Sequence, residues 1–311
     1  MEKLLNIAEA KSHSLTISEN IRGKRVLIFG LGKIGQALAK RLSEEGAVIA
    51  AIIRSRGVFN EAGQKIAEHS RWKNFIPEAD VAFIAVPTVG EGDEALEYTE
   101  AILEYNKPVI TAEKASLASN PELIKKNEGL LRYTATVGGG TRMLKKISEY
   151  PKGEILEIKA VVNGTLNYIS DRIQHGVSQK EAILEAVEKG YAETDTDDFK
   201  VILEDESRDV IRKAVIIANH SGMFTRAITE SDVKFIKPTD NLAAMRCIVR
   251  ITSEGVQAGF IERGMSDWLP SGVNNVLYVN GAEKARGPGA GANATVSTMI
   301  SDYQDFLGGI Q

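Results

Sequence analysis

Apolar residues in the first half of the chain fall in short runs set apart by amphipathic stretches. Val26-Leu-Ile-Phe29 reads as a buried strand, and Ile34, Leu38 and Leu42 then recur at helical spacing. Residues 48–53, 80–87, 108–111 and 131–137 repeat the apolar pattern of buried strands. Between them, helices are predicted over 92–104 and from Asn120, with Asn120 as N-cap and Pro121 at the first helical position. Such alternation predicts a doubly wound parallel sheet. After Gly138-Gly-Gly-Thr141 the pattern changes. Residues 154–162 alternate like a half-exposed strand, and helices follow near 166–174, 179–189 and 206–219. Residues 245–263 and 275–280 read as further strands, and a last helix covers 294–307. The fold class is therefore α/β, with an N-terminal doubly wound domain and a second α+β domain.

The turn after the first strand carries chemistry. Gly30-Leu-Gly32-Lys33-Ile34-Gly35 has the form G-x-G-x-x-G between a strand and a helix. The first glycine permits the tight turn, the second admits a pyrophosphate, and the third lets helix pack on strand. A plain βα turn can look similar, but strand, glycines and helix in this order favour a dinucleotide site. An acid holding the ribose hydroxyls is expected about 20 residues further on. Here the second strand ends in Arg54-Ser55-Arg56. A guanidinium can fork onto a 2′-phosphate, so NADP is expected, with NAD left open. Pro87 and Thr88, closing the strand over 80–87, are expected beside the same cofactor.

Composition narrows the classes. The chain has 311 residues, room for two domains, and 43% hydrophobic content. A net charge of −4 argues against general nucleic-acid binding. No apolar run approaches the ~20 residues that cross a bilayer, so no membrane partner is expected. Residues 1–7 lack the apolar core of a secretory signal. One cysteine, Cys247, forms no intrachain disulfide and fits a reducing compartment, so a cytoplasmic location is expected. Four scattered histidines give no zinc-ligand spacing, and no metal centre is expected from them.

Six segments in order carry a family resemblance. They are Thr111-Ala-Glu-Lys-Ala-Ser-Leu-Ala118, Ala135-Thr-Val-Gly-Gly-Gly140, Val162-Asn-Gly-Thr-Leu-Asn-Tyr-Ile169, Gly190-Tyr-Ala-Glu193, Gly272-Val-Asn-Asn275 and Gly287-Pro-Gly-Ala-Gly291. In them the chain resembles the homoserine dehydrogenases, in their compact single-function form. The resemblance implies reduction of aspartate 4-semialdehyde to homoserine, a step towards threonine, methionine and isoleucine, by hydride transfer from NADPH or NADH. It implies a Rossmann domain over 23–137, completed by 289–311, and a substrate-binding and dimerisation domain over 138–288. Residues 1–22 form an N-terminal extension. A homodimer and a small-molecule substrate are the implied partners.

Asp209 and Lys213 stand at i, i+4 on a predicted helix. By spacing alone they are a surface ion pair of small value. The resemblance instead makes Lys213 the proton donor to the carbonyl oxygen and Asp209 its orienting partner. It places Lys114 near the nicotinamide as a second proton or electrostatic partner. It gives Glu193 the substrate ammonium, with Tyr191 beside it and Asp198 as a second acid. Gly164 and Thr165, at a strand-to-helix turn, can meet a carboxylate with an N–H and a hydroxyl. Gly289 and Gly291 are expected to line the cofactor side.

The chain departs from the family pattern in three places. Glu113 replaces the Asn of T-A-N-K. Thr134 stands where Glu is common, in the segment whose backbone binds sodium in the family, and backbone ligands survive a side-chain change. The usual D-x-N-G-x-D before the Asp-Lys helix is replaced by the longer Asp198-Phe-Lys-Val-Ile-Leu-Glu-Asp-Glu-Ser207. Two other readings follow from that change. One is a dehydrogenase of the same family acting on another small amino or hydroxy acid. The other is a non-catalytic NADP-binding regulator, against which the retained Lys114, Glu193, Asp209 and Lys213 argue.

Overall fold

The computed structural model describes residues 21–127, 129–191, 198–239, 241–262, 268–289 and 291–309. They divide into two compact units. The first comprises the described parts of Met1–Glu113, Asn127–Tyr133 and Thr295–Gln311; the second comprises those of Lys114–Lys126 and Thr134–Ala294. The segments containing Lys114 and Thr134–Val137 thus group with the second unit, although the sequence pattern alone places them with the nucleotide domain.

The first unit is built on a seven-stranded sheet of order β4-β3-β2-β1-β5-β6-β7. Its strands are β1 (Arg25–Phe29), β2 (Val48–Arg54), β3 (Gly57–Phe59), β4 (Lys65–Ala67), β5 (Val81–Ile84), β6 (Val109–Thr111) and β7 (Leu131–Arg132). β1, β2, β5, β6 and β7 are parallel, while β3 and β4 extend one edge as antiparallel strands. Every residue of β5 and β6 is buried, as the unbroken apolar runs require. α1 (Lys33–Glu44) buries Gly35, Leu38 and Leu42, and α2 (Asp93–Glu104) buries Tyr98 and Ile102. α9 (Ala292–Leu307) sets Tyr303 edge-on to Phe83, with ring centroids 5.9 Å apart.

The chain leaves β1 towards β2 on one side and returns to β5 on the other. This reversal opens a crevice at the carboxyl ends of the strands, and Gly30 sits at its edge. Gly30 has φ +90, and a Cβ there would come 2.6 Å from the Ala85 carbonyl oxygen beyond β5. A Cβ on Gly35 would lie 2.2 Å from the Gly30 carbonyl oxygen. Sterics therefore demand both glycines.

One expectation shifts here. The strand predicted over 131–137 stops at Arg132 and turns into a 3₁₀ segment, Thr134–Thr136. Its neighbour β6 ends at Thr111, so a longer β7 would have no ladder to join. Arg54 closes β2, as the sequence pattern places it, and Ser55-Arg56 form the turn of the β2–β3 hairpin.

The second unit has a six-stranded sheet of order β13-β12-β8-β10-β11-β9. The strands are β8 (Glu157–Val161), β9 (Val233–Ile236), β10 (Met245–Thr252), β11 (Gly255–Glu262), β12 (Asn274–Val279) and β13 (Ala282–Pro288). Only β9 and β11 pair in parallel. The helices are α3 (Ala115–Ser119), α4 (Glu122–Lys126), α5 (Met143–Ser148), α6 (Gly164–Gln174), α7 (Gln179–Glu188) and α8 (Phe199–Ser221). The helix expected to start at Asn120 is preceded by α3, for which Asn120 is the C-cap. α8 packs along β9, β10 and β11, and α3 docks on it. Its buried residues include Ile202, Val210, Ala214 and Ile217.

Gly35→Ala is expected to destabilise the protein by about 1–3 kcal/mol, because a carbonyl must move to admit the methyl. Gly32→Ala, whose Cβ would meet nothing within 4 Å, should change stability by less than about 1 kcal/mol. Urea unfolding midpoints check both.

Candidate active site

The nucleotide turn is built entirely within the first unit. Gly32 is the N-cap of α1, and no side chain caps that end and no acid occupies its first turn. Backbone N–H groups at a helix start favour an anion. With open space over Gly32, the turn fits a pyrophosphate. Lys33 is exposed and Ile34 half-buried beside it. Arg54 lies over the Phe59 ring at 5.2 Å, while Ser55 and Arg56 are exposed. These positions fit an adenosine-side phosphate, with Arg54 pre-oriented by its ring contact. Pro87 and Thr88 follow β5 and are exposed.

The charged cluster lies in the second unit, and Asp209 is its hub. One carboxylate oxygen is 2.7 Å from Lys114 Nζ and the other 2.6 Å from Lys213 Nζ. Three elements converge to make this contact. Lys114 is the N-cap residue of α3, Asp209 and Lys213 lie one turn apart on α8, and β8 leads into the turn before α6. Lys213 Nζ also donates to the Val162 carbonyl at 2.8 Å. Asn163 caps α6 by accepting from Leu166 N, and its Nδ2 donates to Asp209 at 3.0 Å and to Glu206 at 2.5 Å. Burial opposes the charge on Asp209, but Lys114 and Lys213 outweigh it and hold the carboxyl well below the usual carboxylate range. Burial and the neighbouring Asp209 push Glu206 the other way, up to about 7.

The other expected residues fall in different places. Thr165 is buried and donates its hydroxyl to the Tyr191 carbonyl at 2.7 Å. Tyr191 stands edge-on to Tyr168. Gly164 is required by packing, since a Cβ would approach the Val273 carbonyl oxygen to 2.8 Å. Asp198, expected at the substrate, is the exposed N-cap of α8 and accepts from Lys200 N. Eleven helical residues place it roughly 16 Å along the axis from Asp209. A Cβ on Gly289 would strike the Asn275 amide, and Gly291 has φ +128. Glu193 lies outside the described residues.

Sequence reasoning missed Asn163 as a bridge and Glu206 altogether. The available signals were an Asn immediately before a helix and an acid three residues ahead of Asp209. Among the described residues there is no cluster of His, Cys, Asp and Glu fit to hold a metal. None of the helices among them is long and apolar enough to cross a membrane.

Comparison with known proteins is consistent across the chain. A family model described as homoserine dehydrogenase matches residues 143–303. A second, described as the NAD-binding domain of D-isomer specific 2-hydroxyacid dehydrogenases, matches residues 4–103. A homoserine dehydrogenase from Sulfurisphaera tokodaii is 26% identical over 306 residues, spanning 89% of this chain and 97% of the relative. One from Methanocaldococcus jannaschii is 31% identical over 251 residues, 68% of this chain and 73% of the relative. Among solved structures, a hyperthermophilic archaeal homoserine dehydrogenase in complex with NADPH superposes with a TM-score of 0.75. It is 20% identical, and the match covers 93% of this chain and 99% of that one.

Proposed function

The chain belongs to the homoserine dehydrogenase family, oxidoreductases that act on a CH–OH group with NAD(P), and on that premise we propose that it interconverts aspartate 4-semialdehyde and homoserine, with NADP as the preferred carrier. The observation that carries this reading is the Asp209 carboxylate held between the ammonium groups of Lys114 and Lys213. The first unit holds the nucleotide, and the second holds the substrate and forms the dimer.

A bound dihydronicotinamide supplies the hydride that reduces the aldehyde carbon. As negative charge grows on the oxygen, Lys213 donates a proton to it. Two of its three ammonium hydrogens are directed to Asp209 and to the Val162 carbonyl, which leaves the third for the substrate oxygen. Asp209 fixes the direction of that donor and balances its charge. Lys114, on the other oxygen of Asp209, adds positive potential where the alkoxide develops. In the oxidative direction the same Lys213, in its neutral form, accepts the hydroxyl proton.

Preference for NADP rests on Arg54 and Arg56, which stand where a ribose-binding acid would repel a 2′-phosphate. The archaeal relative solved with NADPH is compatible with that preference. The homodimer rests on the family resemblance and on the prevalence of two-fold assemblies.

Homoserine should be oxidised with NADP, and Lys213→Ala should lower kcat by 10²–10⁴-fold, the usual worth of a general acid–base group, with little change in KM for the nucleotide. A Lys213→Ala enzyme with near-normal kcat, beside an inactive Lys114→Ala, would assign the proton to Lys114. Removing both Arg54 and Arg56 should raise KM for NADPH far more than for NADH. Light scattering at micromolar concentration should give about twice the chain mass, and a fully active monomer would exclude the dimer.

A further inference from the structure

β10 carries two arginines, Arg246 and Arg250, on one face of the strand with Ile248 between them. Their surroundings differ. The Arg250 side chain is 46% exposed and pairs with Glu157 of β8. The Arg246 side chain is 2% exposed and pairs with Asp171 of α6, itself largely buried. A guanidinium taken out of water is costly unless its donors are met. Here the fork is aimed at α6. Nη2 donates to Asp171 at 3.1 Å and to Gln174, while Nη1 donates to the Met245 carbonyl at 3.0 Å.

Asp171 is the third member of a polar stripe. Asn163, Asn167 and Asp171 stand at i, i+4 and i+8, along one face of α6 and its cap. Each ties the helix to another segment. Asn163 donates to Asp209 and Glu206. Asn167, fully buried, donates to the carbonyls of Pro270 and Gly272 at 3.1 and 2.7 Å. Asp171 turns one oxygen to Arg246 and with the other accepts from Gly272 N at 3.0 Å. The next carbonyl, that of Val273, lies 2.8 Å from where a Cβ of Gly164 would stand. One seam thus runs from Arg246 through Asp171 and residues 270–273 to the turn that holds Asp209 and Lys213.

We propose that Arg246 is a positioning residue for the reaction: through Asp171 it seats α6 on the sheet, and so keeps the Val162 carbonyl on Lys213 and the Asn163 amide on Asp209. The reaction it serves is the one read above, and the inference rests on that reading. A helix is a stiff rod, and a rod pinned at one end still swings. The charged cluster pins α6 at its start. Arg246 pins it eight residues later, about 12 Å along the axis. The contacts at the start measure 2.8 Å from Lys213 Nζ to the Val162 oxygen and 3.0 Å from Asn163 Nδ2 to Asp209. A swing of about 1 Å takes both out of the normal hydrogen-bond range. Lys213 then loses one of the two acceptors that direct its third hydrogen.

The test separates seating from stability. Arg246→Met leaves Asp171 uncompensated and lowers stability as well. Arg246→Met combined with Asp171→Asn removes both charges and keeps an acceptor for Gly272 N. Thermal unfolding of this double variant should return close to that of the unaltered protein. Its kcat for homoserine should stay about 10- to 100-fold down, as a displacement of ~1 Å produces, with KM for the nucleotide unchanged. The solvent deuterium isotope effect on kcat should rise, because the proton then moves from a poorly aligned donor. A mere loss of folded protein would lower the amount of active enzyme and leave that isotope effect where it was. Hydrogen exchange reads the same displacement without turnover. The Leu166 amide, which donates to the Asn163 side chain, should exchange about tenfold faster or more in the double variant, while amides in the middle of α8 keep their rates. Arg246→Lys keeps a cation on Asp171 and should recover most of kcat, with smaller changes in isotope effect and exchange.

A double variant whose kcat returns together with its stability, or whose Leu166 exchanges no faster, overturns the proposal. So does an Arg246→Lys enzyme as impaired as Arg246→Met. Should neither methionine variant fold, Arg246→Lys decides, and an unchanged isotope effect with unchanged Leu166 exchange overturns the proposal. Failure of the unaltered protein to oxidise homoserine overturns the functional reading, and the exchange measurement then decides the seating of α6 by itself.

Discussion

One carboxylate between two ammonium groups organises the second unit. Lys114 and Lys213 carry like charges and could not both lie within hydrogen-bond reach of one point unless an anion stood there. Asp209 supplies it, with one oxygen for each. The interaction ties α3 to α8, because Lys114 is the residue from which α3 starts. It also fixes the carbonyl of Val162 and the cap of α6, because Lys213 and Asn163 are held by the same cluster. Deleting one member of a buried ion cluster leaves the others uncompensated, which costs far more than an exposed pair contributes. The apolar underside of α8, pressed on β9, β10 and β11, gives the cluster its rigid base.

The nucleotide turn depends on a different constraint, close approach of backbone to backbone. Its three glycines meet different surroundings, and close approach constrains two of them. Gly30 takes a left-handed conformation against the end of β5, Gly35 lies on the Gly30 carbonyl, and Gly32 faces open space. Such requirements act mostly between residues close in sequence, so the motif is legible from the order of residues alone. β1, α1, β2 and β5 are legible for the same reason. Their burial is continuous or strictly helical, and the strands lie side by side in the parallel sheet.

What the sequence hid was long-range or too short to have a period. β3 and β4, three residues each, offer no alternation to recognise. The run over 131–137 has the composition of a strand, but a strand also needs a partner, and β6 ends too soon to be one. Asp209 and Lys213 look like any i, i+4 pair until Lys114, almost a hundred positions earlier in the chain, is seen on the other oxygen. Asn163 and Glu206 are 43 residues apart, and nothing local announces their contact. Asp198 is legible as an acid but not as a helix cap, because the apolar spacing places the start of its helix later.

That longer helix explains how the chain can depart from the family pattern and keep its charged cluster. Residues 199–209 contain neither Gly nor Pro, and Leu203, Glu204, Glu206 and Arg208 are good helix formers. Asp198 satisfies an N–H at the new end. Extension of a helix at its N-terminus does not by itself move the residues after it, and the part of α8 that follows packs on β9, β10 and β11. Each added turn nonetheless sets one more side chain on the same face, about 5.4 Å further along. Along α8, Glu206 thereby stands on the face that carries Asp209 and Lys213, one turn before the first and two before the second. The Asp209–Lys213 pair and the acid one turn before it are set by separate positions of one helix, so either can change without moving the other.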